Sequence, residues 1–251
     1  MPSYVSHTLM ARDVYDRLKR KDISLEYMLT FSLGADLSKY SKCRYDSHHK
    51  DIDKFIHNMA IYIKDNNLIN DMEVLGLLYG HICHYVMDET VHPLVKNISK
   101  NCLRSKRNHT LIEGYYDSYL VNKKLNISID KYDNKFVLSG NVNNKIAKII
   151  DYAYFSTYGV GHISRYYKFN IWLYRKIKYL YKIFSLDFLK KVSGFNKFIL
   201  NNKIDICNNH HHIKYYDCQK DLVCSSLSEV YDDSIDRAIK EIKEIDKILK
   251  N

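Results

Sequence analysis

The sequence predicts an all-α fold, and three observations carry that prediction. Only 2 Pro and 8 Gly occur in 251 residues, so long helices meet few breakers and the composition argues against a β-rich fold with many tight turns. Apolar residues recur at three- and four-residue spacing along most of the chain. Ser, Asp or Asn stands ahead of several of these periodic runs, where a helix needs a side chain to satisfy its first amides.

Taken in order, Ser6 is read as the cap of a first helix carrying Leu9, Met10, Val14 and Leu18 on one face. Ile52, Phe55, Ile56, Met59, Ala60 and Ile63 form the cleanest amphipathic stripe. A third helix is expected from Asn70 or Asp71 to Thr90 or Val91, stopped by Pro93, which disfavours helical geometry in the residue before it. Helices are also expected over 109–123, 142–158 and 165–192. The last opens on a capping box, Ser226-x-x-Glu229, and should bury Leu227, Val230, Ile235, Ala238, Ile242, Ile245 and Leu249. Loops fall at 33–49, 94–107 and 201–224, and 126–140 reads as a loop or a short hairpin. No internal repeat or long linker interrupts this pattern, so residues 1–251 are read as one multi-helix domain.

Composition bounds the function classes. A net charge of +10 favours an anionic partner: nucleic acid, an acidic membrane surface or a phosphorylated substrate. Residues 165–200 supply much of it, with nine Lys/Arg against Asp187 alone and 11 aromatic residues including Trp172. Such a segment suits an acidic membrane surface or a nucleic-acid backbone with stacked bases, or is a core helix with a lysine-rich outer face. The six cysteines form no C-x-x-C pair, which argues against a thiolate zinc finger. Met1-Pro2-Ser3-Tyr4 does not open a secretory signal, and no run approaches the roughly 18 apolar residues of a membrane span. The expectation is a cytoplasmic protein with reduced cysteines, able to contact a membrane peripherally.

Histidine placement carries the chemistry. His84, Asp88 and His92 follow one another at four-residue spacing, which stacks them along one helix face. His109 and Glu113 repeat the imidazole–carboxylate pair downstream. A lone H-x-x-x-[DE] pair means little, since roughly 1.4 are expected by chance at this composition; the longer string through His92 has an expectation of roughly 0.07. Zn²⁺ accepts mixed His and carboxylate ligands and keeps open positions with them.

In this order, Ser6-His7-Thr8-Leu9, Leu33–Asp36, Ser47–His49, His84–Pro93 and His109-x-x-x-Glu113 resemble the bacterial zinc-dependent phospholipase C family, which shares its helical fold with S1/P1-type nucleases. The resemblance covers about residues 1–125 and weakens beyond them. It implies a multinuclear zinc centre. Asp36, His48, His84 and Asp88 would hold one ion, His92, His109 and Glu113 a second, and His7 a third with Asp88 bridging. Spacing to Phe55 favours His48 over His49. Secreted members complete the third site with a processed N-terminal tryptophan; this chain begins Met1-Pro2, so two ions or three are expected. Asp36 would also act as the general base. The implied substrate is a phospholipid or another phosphodiester.

Other readings stand beside this one. A nuclease or small-molecule phosphodiesterase uses the same fold, and a zinc-binding interaction protein needs the ions without turnover. Individually, His84–Asp88 suits a surface ion pair, His92 a helix C-terminal cap, Asp36 a turn and His7 a surface position. His81 is expected to pack rather than ligate, and Cys83 to sit in the core. His57, His162 and His210–His212 read as ordinary polar residues. An HD-type phosphohydrolase is excluded, because no His-Asp dipeptide occurs.

Overall fold

The computed structural model describes residues 4–43, 46–102, 108–132, 137–176 and 212–250. Among them are nine α-helices and one two-stranded hairpin, so the all-α expectation holds. The helices are α1 (Tyr4–Leu18), α2 (Leu25–Phe31), α3 (Asp46–His49), α4 (Ile52–Asp65), α5 (Met72–Asn97), α6 (Asn108–Leu125), α7 (Asn144–Tyr158), α8 (Ser164–Lys176) and α9 (Leu227–Lys250).

Helix α5 is the central element, packed against α2, α9, α1 and α4. Asp71 caps it, its carboxylate accepting from the amides of Glu73 and Val74. The middle of α5 is buried on every side, from Val74 through Met87, as a helix enclosed by neighbours requires. Gly80 lets α2 approach closely: a Cβ there would lie 2.8 Å from the Met28 carbonyl oxygen. Helix α4 buries the stripe Phe55, Ile56, Met59, Ala60 and Ile63. On α9 the capping box forms, with Ser226 N donating to Glu229 at 2.9 Å and Glu229 N donating to Ser226 Oγ at 3.3 Å. The named apolar residues of α9 are buried, except Ile245, which is half-buried.

Four local expectations are corrected. Helix α1 already includes Tyr4, so Ser6 is not its cap; the Ser6 amide instead donates to Asp117 Oδ1 at 2.9 Å. Helix α5 does not stop before Pro93 but runs through it to Asn97, continuing as a π-helical turn over Ile98–Cys102. An internal proline costs about 3 kcal/mol. Val91, Leu94, Val95 and Ile98 are all buried, each worth about 1.5–3 kcal/mol, so packing wins over local propensity. The region 33–49 contains a 3₁₀ turn, Gly34–Ser38, and the short α3.

The expected loop 201–224 contains an antiparallel hairpin, β1 (Ile213–Tyr216) with β2 (Leu222–Ser225), in the register Ile213↔Ser225 to Tyr216↔Leu222. Its turn lacks the usual glycine. Lys220 takes the left-handed conformation instead, with φ +69°, and Asp217 braces the turn by accepting from the amides of Gln219 (2.9 Å) and Asp221 (2.8 Å). Helix α2, which the sequence reading did not mark, is capped by Ser24. The expected helix 165–192 is seen as α8 as far as Lys176; residues 177–192 and His210–His211 lie outside the described residues. No helix among the described residues is long and apolar enough to cross a membrane.

Candidate metal centre

The site grows from α5. Its four-residue spacing places His84, Asp88 and His92 on one face, and four other segments converge on that face: α1 with His7, the 3₁₀ turn with Asp36, α3 with His48, and α6 with His109 and Glu113. The structure thus brings all eight expected ligands together. His7 Nε2 lies 3.2 Å from Asp88 Oδ1, His84 Nε2 3.5 Å from Asp88 Oδ2, and His92 Nε2 3.4 Å from Asp88 Oδ1. His48 Nε2 lies 3.1 Å from Asp36 Oδ1. Farther out, His109 Nε2 lies 2.8 Å from Glu113 Oε1, and His92 Nε2 3.6 Å from the same oxygen. His48 lies in the cluster, its ring 5.9 Å from that of His84, and His49 lines the cavity beside it.

Three groups have ligand atoms all within 4.8 Å of one another: His7/Asp36/His84, His48/His84/Asp88 and His92/His109/Glu113. The polar atoms there are unusually poor in partners. His7 Nδ1, Asp36 Oδ2, His84 Nε2, Asp88 Oδ1 and both Glu113 oxygens are buried without an aligned hydrogen bond. Buried polar atoms are normally satisfied, and leaving one bare costs about 1–3 kcal/mol. A divalent cation answers that need, so this donor set fits zinc.

His84 shows the fit most directly. Its Nδ1 lies 3.2 Å from the carbonyl oxygen of Ser32, which can only accept, so Nδ1 carries the proton. Nε2 then presents a lone pair towards the hollow. Burial holds the His84 pKa down to about 3, so the ring stays neutral. Burial opposes charge on His7 too, but Asp88, Asp36 and Asp117 outweigh it and raise its pKa. Asp88 is held well below the usual carboxylate range: burial opposes this, and His92, His84 and His7 overcome it.

Gly34 is the positioning element that the sequence reading passed over. Its φ is +43°, and a Cβ there would lie 2.3 Å from the His84 ring; the turn bearing Asp36 closes onto His84 because a side chain is missing. Asn170 of α8 anchors the same turn, donating to the carbonyls of Leu37 (3.0 Å) and Lys39 (3.1 Å). His81 behaves as expected of a packing residue: Leu77 O lies 2.9 Å from Nδ1 and the Tyr167 hydroxyl 2.9 Å from Nε2. Cys83 is buried in the core.

The outer end of the cluster opens into a cavity of about 780 Å³. His48, His49, Asp88, His92 and His109 line it, together with Glu89, Lys96, Lys100, Tyr216 and Asp217.

The model of the zinc dependent phospholipase C family matches residues 6–156. The chain belongs to that family, and its helices are the all-α fold of that family. No curated protein and no solved structure gives a significant match. Membership places the chain among zinc-dependent hydrolases whose substrate class is phospholipid.

Proposed function

We propose that the chain hydrolyses the head-group phosphodiester of a phospholipid, with two or three zinc ions held by His7, Asp36, His48, His84, Asp88, His92, His109 and Glu113. The observation that carries this reading is the set of six buried polar atoms, on five of those side chains, that make no aligned hydrogen bond. Asp36, His48, His84 and Asp88 would hold one ion, His92, His109 and Glu113 another, and His7 with Asp88 a third. Zinc so held supplies Lewis acidity, lowering the pKa of water towards about 7 and neutralising phosphoryl oxygens.

The protein's own groups do the rest. Asp36 has one oxygen near His48 and a second, Oδ2, without a hydrogen bond, and that second oxygen accepts the proton of the attacking water. The Ser32 carbonyl and Gly34 fix the His84 ring, so its lone pair does not wander. The cavity is wide enough for a head group, and the core shared by α1, α5 and α9 supports treating residues 1–251 as one domain.

Helix α8 supports peripheral contact with an acidic membrane. It buries Tyr167, Asn170, Ile171 and Tyr174 and leaves Phe169 and Trp172 about half exposed, with ring centroids 6.0 Å apart. Exposed Arg165 and Lys168 flank them, the composition of an interfacial helix. Trp172→Ala should weaken sedimentation with acidic vesicles; unaltered sedimentation would count against this contact.

Metal analysis with a bis(p-nitrophenyl) phosphate assay tests the main reading. At least two zinc ions per chain are expected, with turnover lost to a chelator and restored by zinc. Tightly bound zinc without hydrolysis of this ester or of short-chain phospholipids would overturn it in favour of a binding protein.

A further inference from the structure

Asp88 and His92 do not end their row. Because α5 continues through Pro93, the same four-residue step that joins Asp88 to His92 leads on to Lys96 and then to Lys100, and all four line one cavity. The step from His92 to Lys96 advances about 6 Å along the axis, and Lys100 follows in the π-helical turn, so both lysines stand beyond the outermost imidazole. Both are exposed, and neither makes an ion pair among the described residues.

The nearby carboxylates of the cavity wall are engaged elsewhere. Glu89 pairs with Arg237 of α9, Asp217 closes the hairpin turn, and Asp88 belongs to the imidazole cluster. Among the described residues none of these carboxylates forms an ion pair with Lys96 or Lys100; Asp217, one oxygen of which accepts the hairpin amides, is the wall carboxylate that keeps its charge without a cationic partner. The lining includes no aromatic cage for a quaternary ammonium; Tyr216 is the sole non-histidine aromatic among the described lining residues, and a cage needs several ring faces. A head group ending in a cation would meet like charge there.

We propose that Lys96 and Lys100 form an anion subsite, and that the preferred substrate carries a second anionic group, a carboxylate or a further phosphate, beyond the scissile phosphodiester. This rests on the phosphodiesterase reading above. The scissile phosphate sits at the imidazole–carboxylate cluster, and the head group extends along α5 so that its second anion meets the two ammoniums. The rule is one of discrimination: the subsite attracts the anionic head group and repels the cationic one.

The test uses zinc-loaded full-length protein and dihexanoyl phosphatidylcholine, phosphatidylserine and phosphatidylinositol 4-phosphate, all as monomers below their micellar limits. Monomeric lipids remove general attraction between a basic protein and a charged surface. Both kcat/KM and equilibrium binding are measured for each lipid. We expect at least one anionic lipid to be favoured over the choline lipid by about tenfold or more, mainly through KM, as charge-assisted hydrogen bonds commonly provide. Which anionic lipid leads distinguishes a carboxylate from a phosphate.

In the K96Q/K100Q double variant the preference should fall close to one. The ratio is the readout, because misfolding or zinc loss lowers turnover of all three lipids together and leaves the ratio in place. Equal use of all three lipids by the native protein, or a preference that survives in the double variant, overturns the subsite while leaving the phosphodiesterase reading intact. Lysine-dependent binding of an anionic lipid without hydrolysis supports the subsite and overturns the phosphodiesterase reading. Neither binding nor hydrolysis overturns both.

Discussion

The two ends of the ligand cluster are built differently. At the inner end, His84 is fully buried and His7 only 3% exposed; their rings, 4.7 Å apart, are part of the hydrophobic core. At the outer end, the side chains of His92 and His109 are 21% and 28% exposed and open into the cavity. Asp88 touches both, since His7, His84 and His92 all approach it. The inner end is enclosed by the core, whereas the outer end is open to solvent. Precision and access are thus divided between two ends of one site.

The sharpest way to break this division is at His84. His84→Ala should lower kcat/KM on a soluble phosphodiester by about a thousandfold and remove at least one zinc, a larger loss than typical for a residue that merely supports a ligand. Activity within tenfold of native would sink the inner assignment. Gly34→Ala attacks the same ring without touching a ligand atom. With a Cβ forced to 2.3 Å from His84, a loss of about a hundredfold is expected, read alongside zinc content and a far-ultraviolet spectrum that stays helical.

At the outer end the expected effect is smaller and reversible. His109→Ala should release one zinc and cost about ten- to a hundredfold, and raised zinc should recover part of the activity, because Glu113 and His92 remain. If zinc excess rescues His84→Ala as well as His109→Ala, the two ends are not distinct. The smallest effect serves as a control. Glu229→Ala removes the α9 capping box and should cost about 1 kcal/mol, a fall in Tm of about 2–4 °C, without changing zinc content.

That cap also carries a pH dependence. His212 first, and then the Ser226 amide, hold the Glu229 pKa down to about 2. A depressed carboxylate pKa contributes stability that is present above the unfolded value, near 4.5, and is lost as pH falls towards 2. The Tm difference between native protein and Glu229→Ala should therefore narrow across that window.

Much of this architecture was legible in the chain, for physical reasons that differ by element. The stripe on α4 and the box at Ser226 are local signals, set by spacing and by one side chain meeting one amide, and both appear in the structure. His84, Asp88 and His92 could be singled out because two imidazoles and a carboxylate at four-residue spacing are rare together, whereas His7, Asp36 and His48, and the pairing of His109 with Glu113 at the same centre, came from the family resemblance; their convergence depends on tertiary packing that spacing alone does not contain. Pro93 misled for the same reason. Its local penalty was visible, but the burial of Val91, Leu94, Val95 and Ile98 was not, and with the helix wrongly ended the row Asp88–His92–Lys96–Lys100 could not be seen. Gly34 had a sequence signal, a glycine two residues before a candidate ligand. The hairpin had almost none, because Lys220 takes the left-handed position that a glycine would have signalled.

The ligands come from α1, the 3₁₀ turn, α3, α5 and α6, and several of those elements dock through the same residues that flank the ligands. His7 sits between buried Ser6 and Thr8, and His84 between Cys83 and Tyr85. No short fragment of the chain can therefore assemble this constellation on its own. Capture of an ion by the whole set must come late, after sequence-distant helices have found one another, and slow closure of distant contacts sets the earliest moment at which the newly made chain becomes competent.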